Sequence, residues 1–340
     1  IEPIKYYIKK KLSKSIIEEY SNLAKEILKK NKLCVITMAG GQGSRLGVNG
    51  PKGMFKLNID GKLKSFFEIN CEKLIKANKQ YNIEILWLIM TSKENDLQTQ
   101  EFFRNNNYFG YPKNRIIFFT QNEIPVLDLN GKILLEEKQK IKKAANGNGD
   151  VFEALSKNNI INKLDDEGIE YISFMGIDNI LANPIDYIFL GMMAYKKYQV
   201  ASKSIFKENA MEKSAVFCKR KNRPYILGYD KISKELSEEK AKNGEFLYRD
   251  CNVLAHLMTL KAVKKVIQKD LPYHRVFRKT NALNQKGESV IQDSFKFEKF
   301  IFDAFSYFED MLVLRIEKDE FAPIKNKADI EFAIKEYNKK

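Results

Sequence analysis

The segment Met38-Ala39-Gly40-Gly41-Gln42-Gly43-Ser44-Arg45-Leu46-Gly47-Val48-Asn49-Gly50-Pro51-Lys52-Gly53 continues directly from the apolar run Leu33–Met38 (LCVITM), and this junction decides the fold. A short, β-branched apolar run that stops at glycines reads as a buried strand ending in a turn. Runs of the same kind recur at residues 83–90, 115–119 (RIIFF) and 171–177 (YISFMGI), and residues 65–78 and 151–164 carry apolar side chains at helical spacing. Strands alternating with helices predict an α/β fold with a largely parallel sheet covered on both faces. Residues 1–30, where Ile8, Leu12, Ile16, Leu23, Ile27 and Leu28 recur among Lys and Glu, read as an N-terminal helix, and residues 326–340 as a polar one.

Neither common phosphate loop fits the glycine segment. A dinucleotide fingerprint starting at Gly41 needs glycine where Leu46 stands, and a Walker A loop needs Ser or Thr after Lys52, where Gly53 stands. Glycines alone satisfy a tight turn. With Arg45 and Lys52 on the same segment, backbone N–H groups can approach a phosphate while two cations neutralise it.

The 340 residues are 44% hydrophobic, with 17 glycines and 8 prolines, so a packed core is expected rather than disorder or a collagen-like chain. The apolar run at residues 85–90 (ILWLIM) is far shorter than the roughly 18 residues of a membrane span. Cys34, Cys71, Cys218 and Cys251 form no C-x-x-C pair and His256 and His274 are the two histidines, so zinc-finger and disulfide frameworks lack ligands and reduced, cytoplasmic thiols are expected. The net charge of +15 comes mostly from Lys interspersed with Glu, as at residues 136–143 (EEKQKIKK), which is the pattern of solvated helix faces. No nucleic-acid-binding motif accompanies it. Residues 144–150 (AANGNGD) and 281–289 (NALNQKGES) are the candidate boundaries, the first expected to be a functional loop.

The glycine segment resembles the signature GGxG(T/S)RLGxxxPKG of the UDP-sugar pyrophosphorylases, and is most similar to the eukaryotic-type UDP-N-acetylglucosamine pyrophosphorylases. Blocks resembling that family follow in order at residues 87–92, 101–110, 116–121, 131–138, 146–149, 177–181, 296–303 and 319–326. The resemblance implies a three-layer, Rossmann-like (GT-A-like) nucleotidyltransferase domain with a mixed central sheet and flanking helices over residues 31–326. An N-terminal helical segment (1–30) and a C-terminal helical tail (327–340) flank it, and the family's C-terminal domain is expected to be absent.

Carried over position by position, the resemblance implies nucleotide contacts at Ala39, Gly40, Gly41, Gln121, Gly147 and Asn148, and catalytic cations at Arg45, Lys52 and Lys325. It implies sugar contacts at Gly176, Gly228 and Asn252, and a Mg²⁺-associated carboxylate at Asp178. Taken alone, Gln121 is an amide at a strand end that suits backbone capping, Asp178 suits a helix cap, and Lys325 suits a surface position. The sequence departs from the family on the sugar side: Gly228 stands for a Glu, Ala215 for a Gly, and residues 249–256 (RDCNVLAH) keep Asn252 and His256 but bring in Asp250, Cys251 and Ala255.

The implied reaction joins UTP to N-acetylglucosamine 1-phosphate and expels pyrophosphate. Its phosphate nucleophile is already ionised at neutral pH, so no strong general base is needed, and both histidines read as structural or surface groups. The departures leave two other readings open: the same chemistry on another sugar 1-phosphate such as glucose 1-phosphate, or a catalytically weak UDP-sugar-binding protein. Small-molecule substrates, no specific nucleic acid, no membrane and a monomer or weak homo-oligomer complete the expectation.

Overall fold

The structure, a computed structural model, describes residues 1–339. The chain opens extended: Glu2 bridges Lys219, and strand β1 (Tyr7–Ile8) pairs in parallel with residues 314–315. Helix α1 (Lys14–Lys29) begins after Ser13, whose hydroxyl accepts the Ile16 N–H at 3.4 Å. The helix expected over residues 1–30 is thus confined to its second half, because Ser13 caps it and the residues before it find sheet partners.

Strand β2 (Leu33–Met38) is buried throughout. The hairpin β3 (Lys56–Ile59) and β4 (Lys62–Ser65) leads into α2 (Phe66–Tyr81) through a capping box in which the Ser65 hydroxyl and the Glu68 carboxylate each accept the other's N–H. Strand β5 (Leu86–Ser92), helix α3 (Asp96–Asn105) and strand β6 (Ile116–Gln121) extend the parallel array. Four short strands then make a flap, with β7 (Glu123–Pro125) pairing β10 (Lys143–Ala145) and β8 (Leu135–Glu137) pairing β9 (Lys140–Ile141).

The helix expected over residues 151–164 is two, α4 (Val151–Lys157) and α5 (Ile160–Asp166), broken where Asn159 takes a left-handed φ of 55°. Strand β11 (Tyr171–Gly176), helix α6 (Tyr187–Tyr195) and strand β12 (Val200–Phe206) follow, then the hairpin β13 (Val216–Arg220) and β14 (Arg223–Leu227) and the short α7 (Lys234–Glu238). Strand β15 (Asp250–Thr259) and helix α8 (Leu260–Ile267) lead to a long hairpin, β16 (His274–Leu283) and β17 (Ser289–Glu298). Residues 281–289, expected as a boundary, are its end and turn, closed by the Asn284 N–H on the Glu288 carbonyl at 2.9 Å. Strand β18 (Leu312–Arg315) and helix α9 (Ile330–Tyr337) are the last elements of the described residues, the latter preceded by a 3₁₀ turn under an Asn326–Asp329 capping box; residue 340 of the expected tail lies outside them.

The main sheet has the order β1-β18-β12-β15-β11-β2-β5-β6, with β13 and β14 branching from β15. Neighbours along this path are parallel except around β15, which runs against both β11 and β12, so the sheet is largely parallel, as the strand–helix alternation predicts, and mixed, as the resemblance implies. Even within the fully buried strands the side chains alternate between two cores. Leu33, Val35, Trp87 and Ile89 join the α1, α2 and α6 layer, while Cys34, Ile36, Leu86 and Leu88 join the α4, α5 and α8 layer. Three layers result, with the carboxyl ends of β2, β5, β6 and β11 opening on one side, where such sheets place ligands.

Candidate active site

At the carboxyl ends of these strands lies a cleft of about 1280 Å³, walled by the glycine segment, the flap and the β16–β17 hairpin. The glycine segment leaves β2 through an Ala39 N–H bond to the Met90 carbonyl at 2.8 Å. It folds back on itself through Gly43 N–H to the Gly50 carbonyl (2.9 Å) and Lys52 N–H to the Gly41 carbonyl (3.0 Å). The buried Asn95 amide, just ahead of α3, donates to the carbonyls of Ala39 (3.0 Å) and Gly41 (3.3 Å) and so fixes the loop from below. Gly50, at φ 142°, takes a backbone conformation that side-chain-bearing residues rarely adopt.

Gly40 has a different reason to be glycine. A Cβ there would lie 2.1 Å from the Gln121 Nε2, so the amide of Gln121 occupies the space a side chain at 40 would need. Gln121 is itself buried, and its Oε1 has no hydrogen-bond partner among the described residues. A buried amide with an unused acceptor at the mouth of a cleft is arranged to read a polar ligand edge.

Lys52 is 9% exposed, and its Nζ meets the Asp178 carboxylate at 2.7 Å across 126 residues of sequence. Arg45 stands exposed on the same wall. Asp178 follows β11, and its Oδ1 lies 3.1 Å from where a Cβ on Gly176 would sit. No cluster of three or more His, Cys, Asp or Glu side chains able to hold a metal occurs among the described residues. Asp178 is therefore a single hard-oxygen donor, and a divalent cation here would take its other ligands from phosphate and water.

Opposite, Gly147 (φ 90°) and Asn148 form a loop locked to the root of the β17 strand. The Gly149 N–H donates to the Lys299 carbonyl (2.9 Å), the Lys299 N–H to the Asn146 carbonyl (2.7 Å), and the Ile301 N–H to the Asn148 Oδ1 (2.9 Å). A Cβ on Gly149 would lie 2.6 Å from the Phe300 carbonyl carbon, so glycine is required for this close approach. Beneath it the fully buried Asp150 accepts from the Asn122 N–H (2.5 Å) and the Asn146 amide (2.7 Å). Burial pushes the Asp150 carboxyl above the usual carboxylate range, against the pull of the Asn122 and Asn146 hydrogen bonds.

The cleft thus gathers Gly40, Gly41, Arg45, Lys52, Gln121, Gly147, Asn148, Gly176 and Asp178, with Ala39 buried just beneath. Gly228, Asn252 and Lys325 are not on its wall. Gly228 faces Asp230, whose Oδ1 would lie 2.5 Å from a Cβ at 228. Lys325 is exposed, but its neighbour Ile324 donates its N–H to the Asp178 carbonyl at 2.9 Å. The Asn252 Oδ1 accepts the Leu254 N–H at 3.3 Å and shapes a bulge in β15, where Ser202 pairs with His256 but Ser204 with Asn252. That bulge holds Leu254 at φ 46° and turns it into the cleft beside Gly176, a contact that sequence reasoning missed. Arg278 and Lys279 on the hairpin also line the cleft and were missed.

A family model described as UTP–glucose-1-phosphate uridylyltransferase matches residues 3–337. The chain is 33% identical over 322 residues to a Saccharomyces cerevisiae protein named UDP-N-acetylglucosamine pyrophosphorylase, covering 91% of this chain and 67% of that one. A solved Entamoeba histolytica structure, described as a UDP-N-acetylglucosamine pyrophosphorylase, superposes with a TM-score of 0.91 at 29% identity over 99% of this chain and 87% of its own. The uridine diphosphate N-acetylglucosamine pyrophosphorylase of Trypanosoma brucei, solved with an inhibitor, gives 0.84 at 27% over 94% and 68%. The chain spans 60 to 68% of the length of the curated relatives it matches. No helix among the described residues is long and apolar enough to cross a membrane.

Proposed function

The chain belongs to the UTP–glucose-1-phosphate uridylyltransferase family, and from that premise we propose that it transfers uridylyl from UTP to N-acetylglucosamine 1-phosphate, releasing pyrophosphate. The observation that carries the reading is the Gly40–Gln121 pair: a buried amide with an unused acceptor, packed on the glycine loop, suits recognition of a uracil edge beside a triphosphate. The Gly147–Asn148 loop closes the nucleotide from the other side. The choice of sugar follows the names of the relatives.

The sugar phosphate oxygen attacks the α-phosphorus of UTP as the bond to the β-phosphate oxygen breaks, and pyrophosphate leaves. Two polyanions must be brought into line, so catalysis rests on positioning and charge neutralisation. Arg45, Lys52 and the loop N–H groups hold the triphosphate, and Lys325, exposed and off the cleft wall, would reach in from the segment beside Asp178. Asp178 would hold Mg²⁺, which when bound neutralises charge on the phosphate oxygens. Lys52, tied to Asp178 in this structure, keeps that carboxylate oriented toward the phosphates. The four free cysteines are all buried, which fits a reducing, cytoplasmic setting, and we read the chain as a monomer or weak homo-oligomer.

Gly228, where the family carries a sugar-contacting Glu, favours a second reading in which another sugar 1-phosphate such as glucose 1-phosphate is preferred. The test is pyrophosphate release with UTP and Mg²⁺ against the 1-phosphates of N-acetylglucosamine, N-acetylgalactosamine, glucose and galactose. Preference for N-acetylglucosamine 1-phosphate is expected, and preference for glucose 1-phosphate would establish the second reading. UTP binding without turnover on any sugar would replace both with a UDP-sugar-binding protein.

A further inference from the structure

Residues 316–329, between β18 and α9, cross the sheet end like a strap. At Ile324 the strap is hydrogen-bonded to the Asp178 carbonyl, and at Lys327 it reaches the glycine loop, where a Cβ on Gly47 would lie 3.7 Å from the Lys327 Nζ. Lys325 sits between these two points. The side chain that joins strap to sheet is Asn179, next to Asp178 in sequence and 6% exposed. Its Oδ1 accepts the N–H groups of Ala322 (3.1 Å) and Leu181 (3.2 Å), and its Nδ2 donates to the Glu320 carbonyl (3.3 Å). Both ends of the amide are therefore committed to holding the strap against the loop after β11.

The strap's other anchor is electrostatic. The Glu320 carboxylate meets Lys9 at 2.7 Å and Lys203 at 2.9 Å, and the same two lysines meet Asp186 at 2.8 and 2.7 Å. Glu320 is thus held from two sides, by Lys9 of the chain's opening segment and Lys203 of β12, which it shares with Asp186 at the start of α6. Beside the main-chain bond from Ile324 to Asp178, Asn179 supplies the side-chain link between the strap and the loop after β11.

We propose that Asn179 is a positioning residue that sets the separation of Lys325 and Asp178 across the reacting phosphates without touching substrate itself. This rests on the reading of Lys325 as a phosphate-binding cation. The Ile324–Asp178 bond and the buried Ala322 and Ile324 side chains keep the strap seated when the amide is lost, so the expected change is a small displacement of Lys325 while the glycine loop and Gln121 stay in place. The defect then belongs to turnover rather than to nucleotide binding.

The experiment is a double-mutant cycle of Asn179→Ala with Lys325→Ala, reading kcat, KM for UTP and melting temperature. Asn179→Ala is expected to lower kcat about tenfold or more while leaving KM for UTP within about twofold. In the Lys325→Ala background it should add little further loss. Asn179→Asp, which keeps both acceptor bonds and loses the donor, should fall between. Multiplicative losses in the double variant would overturn the inference, because Asn179 would then act independently of Lys325. Unchanged kcat in Asn179→Ala would overturn it as well. Normal turnover in Lys325→Ala alone would instead remove the phosphate role of Lys325, a separate failure. Should Asn179→Ala fail to fold, Glu320→Gln loosens the same strap at its other anchor and must show the same non-additivity with Lys325→Ala.

Discussion

Lys52 brings its charge to the cleft floor through the shortest available support, an ion pair of 2.7 Å with Asp178. Lys52→Ala is expected to keep the fold, since Asp178 remains partly hydrated, and to lose about 10²–10³ in kcat, as expected for a preorganised charge-stabilising group. Near-normal turnover would refute its role. Gly40→Ala tests the opposite wall: the added methyl falls 2.1 Å from Gln121 Nε2, a flexible side-chain end that must swing aside. The expected result is an unchanged melting temperature with KM for UTP raised about tenfold, the cost of a lost recognition hydrogen bond. Residues of this kind were legible because they lie on one contiguous segment whose glycines and cations are constrained together. Leu254 was not, since nothing in an ordinary leucine announces that a bulge will turn it into a cleft. Asp150 was missed for a related reason, its role depending on amides at Asn122 and Asn146 that only the folded loop brings to it.

The nucleotide loop and the β16–β17 hairpin act as one element. Three hydrogen bonds join residues 146–149 to 299–301, and Leu127 and Phe295 exchange N–H bonds at 3.1 and 2.8 Å, so flap, loop and hairpin are tied in series. Asp150→Ala removes the acceptor under this assembly and leaves the Asn122 N–H and the buried Asn146 amide without it. A stability loss of about 1–3 kcal/mol is expected in denaturant melts, together with a higher KM for UTP. Asp150→Asn, which keeps an acceptor oxygen, should lose less. At this scale the helices with cap signals were the legible part: the Ser65–Glu68 box starts α2 one residue from where the periodicity places it. The strands β12, β15 and β18 left no comparable mark. A strand buried on both faces carries no directional signal, so the pattern of residues does not mark β15 as the strand that runs against its neighbours in an otherwise parallel path.

At the scale of the whole molecule, His256 couples stability to pH. It sits 1% exposed on β15, with Nδ1 on the Ser202 hydroxyl at 2.8 Å and the edge of Phe305 nearby. Burial pushes its pKa down to about 3, so the folded chain keeps it neutral where an unfolded chain, near 6.5, takes up a proton. The unfolded state binds more protons between these values, and stability falls as pH drops below about 6.5. Melting temperature is expected to decline from pH 7 to pH 5, above the range in which ordinary carboxylates titrate, and His256→Gln should flatten that decline. A flat profile in the unsubstituted protein would contradict it. The pairing of β1 with β18 has another consequence, which concerns how the chain is made. Tyr7 and Ile8 must wait for Leu314 and Arg315, so a growing chain leaving the ribosome can assemble β2, β5 and β6 long before its first strand has a partner. Until β18 emerges, β12 presents a bare edge of backbone donors and acceptors, and β18 leads straight into the strap that carries Lys325. Vectorial synthesis therefore completes β2, β5 and β6 before the strap that carries Lys325, and leaves that edge waiting in between.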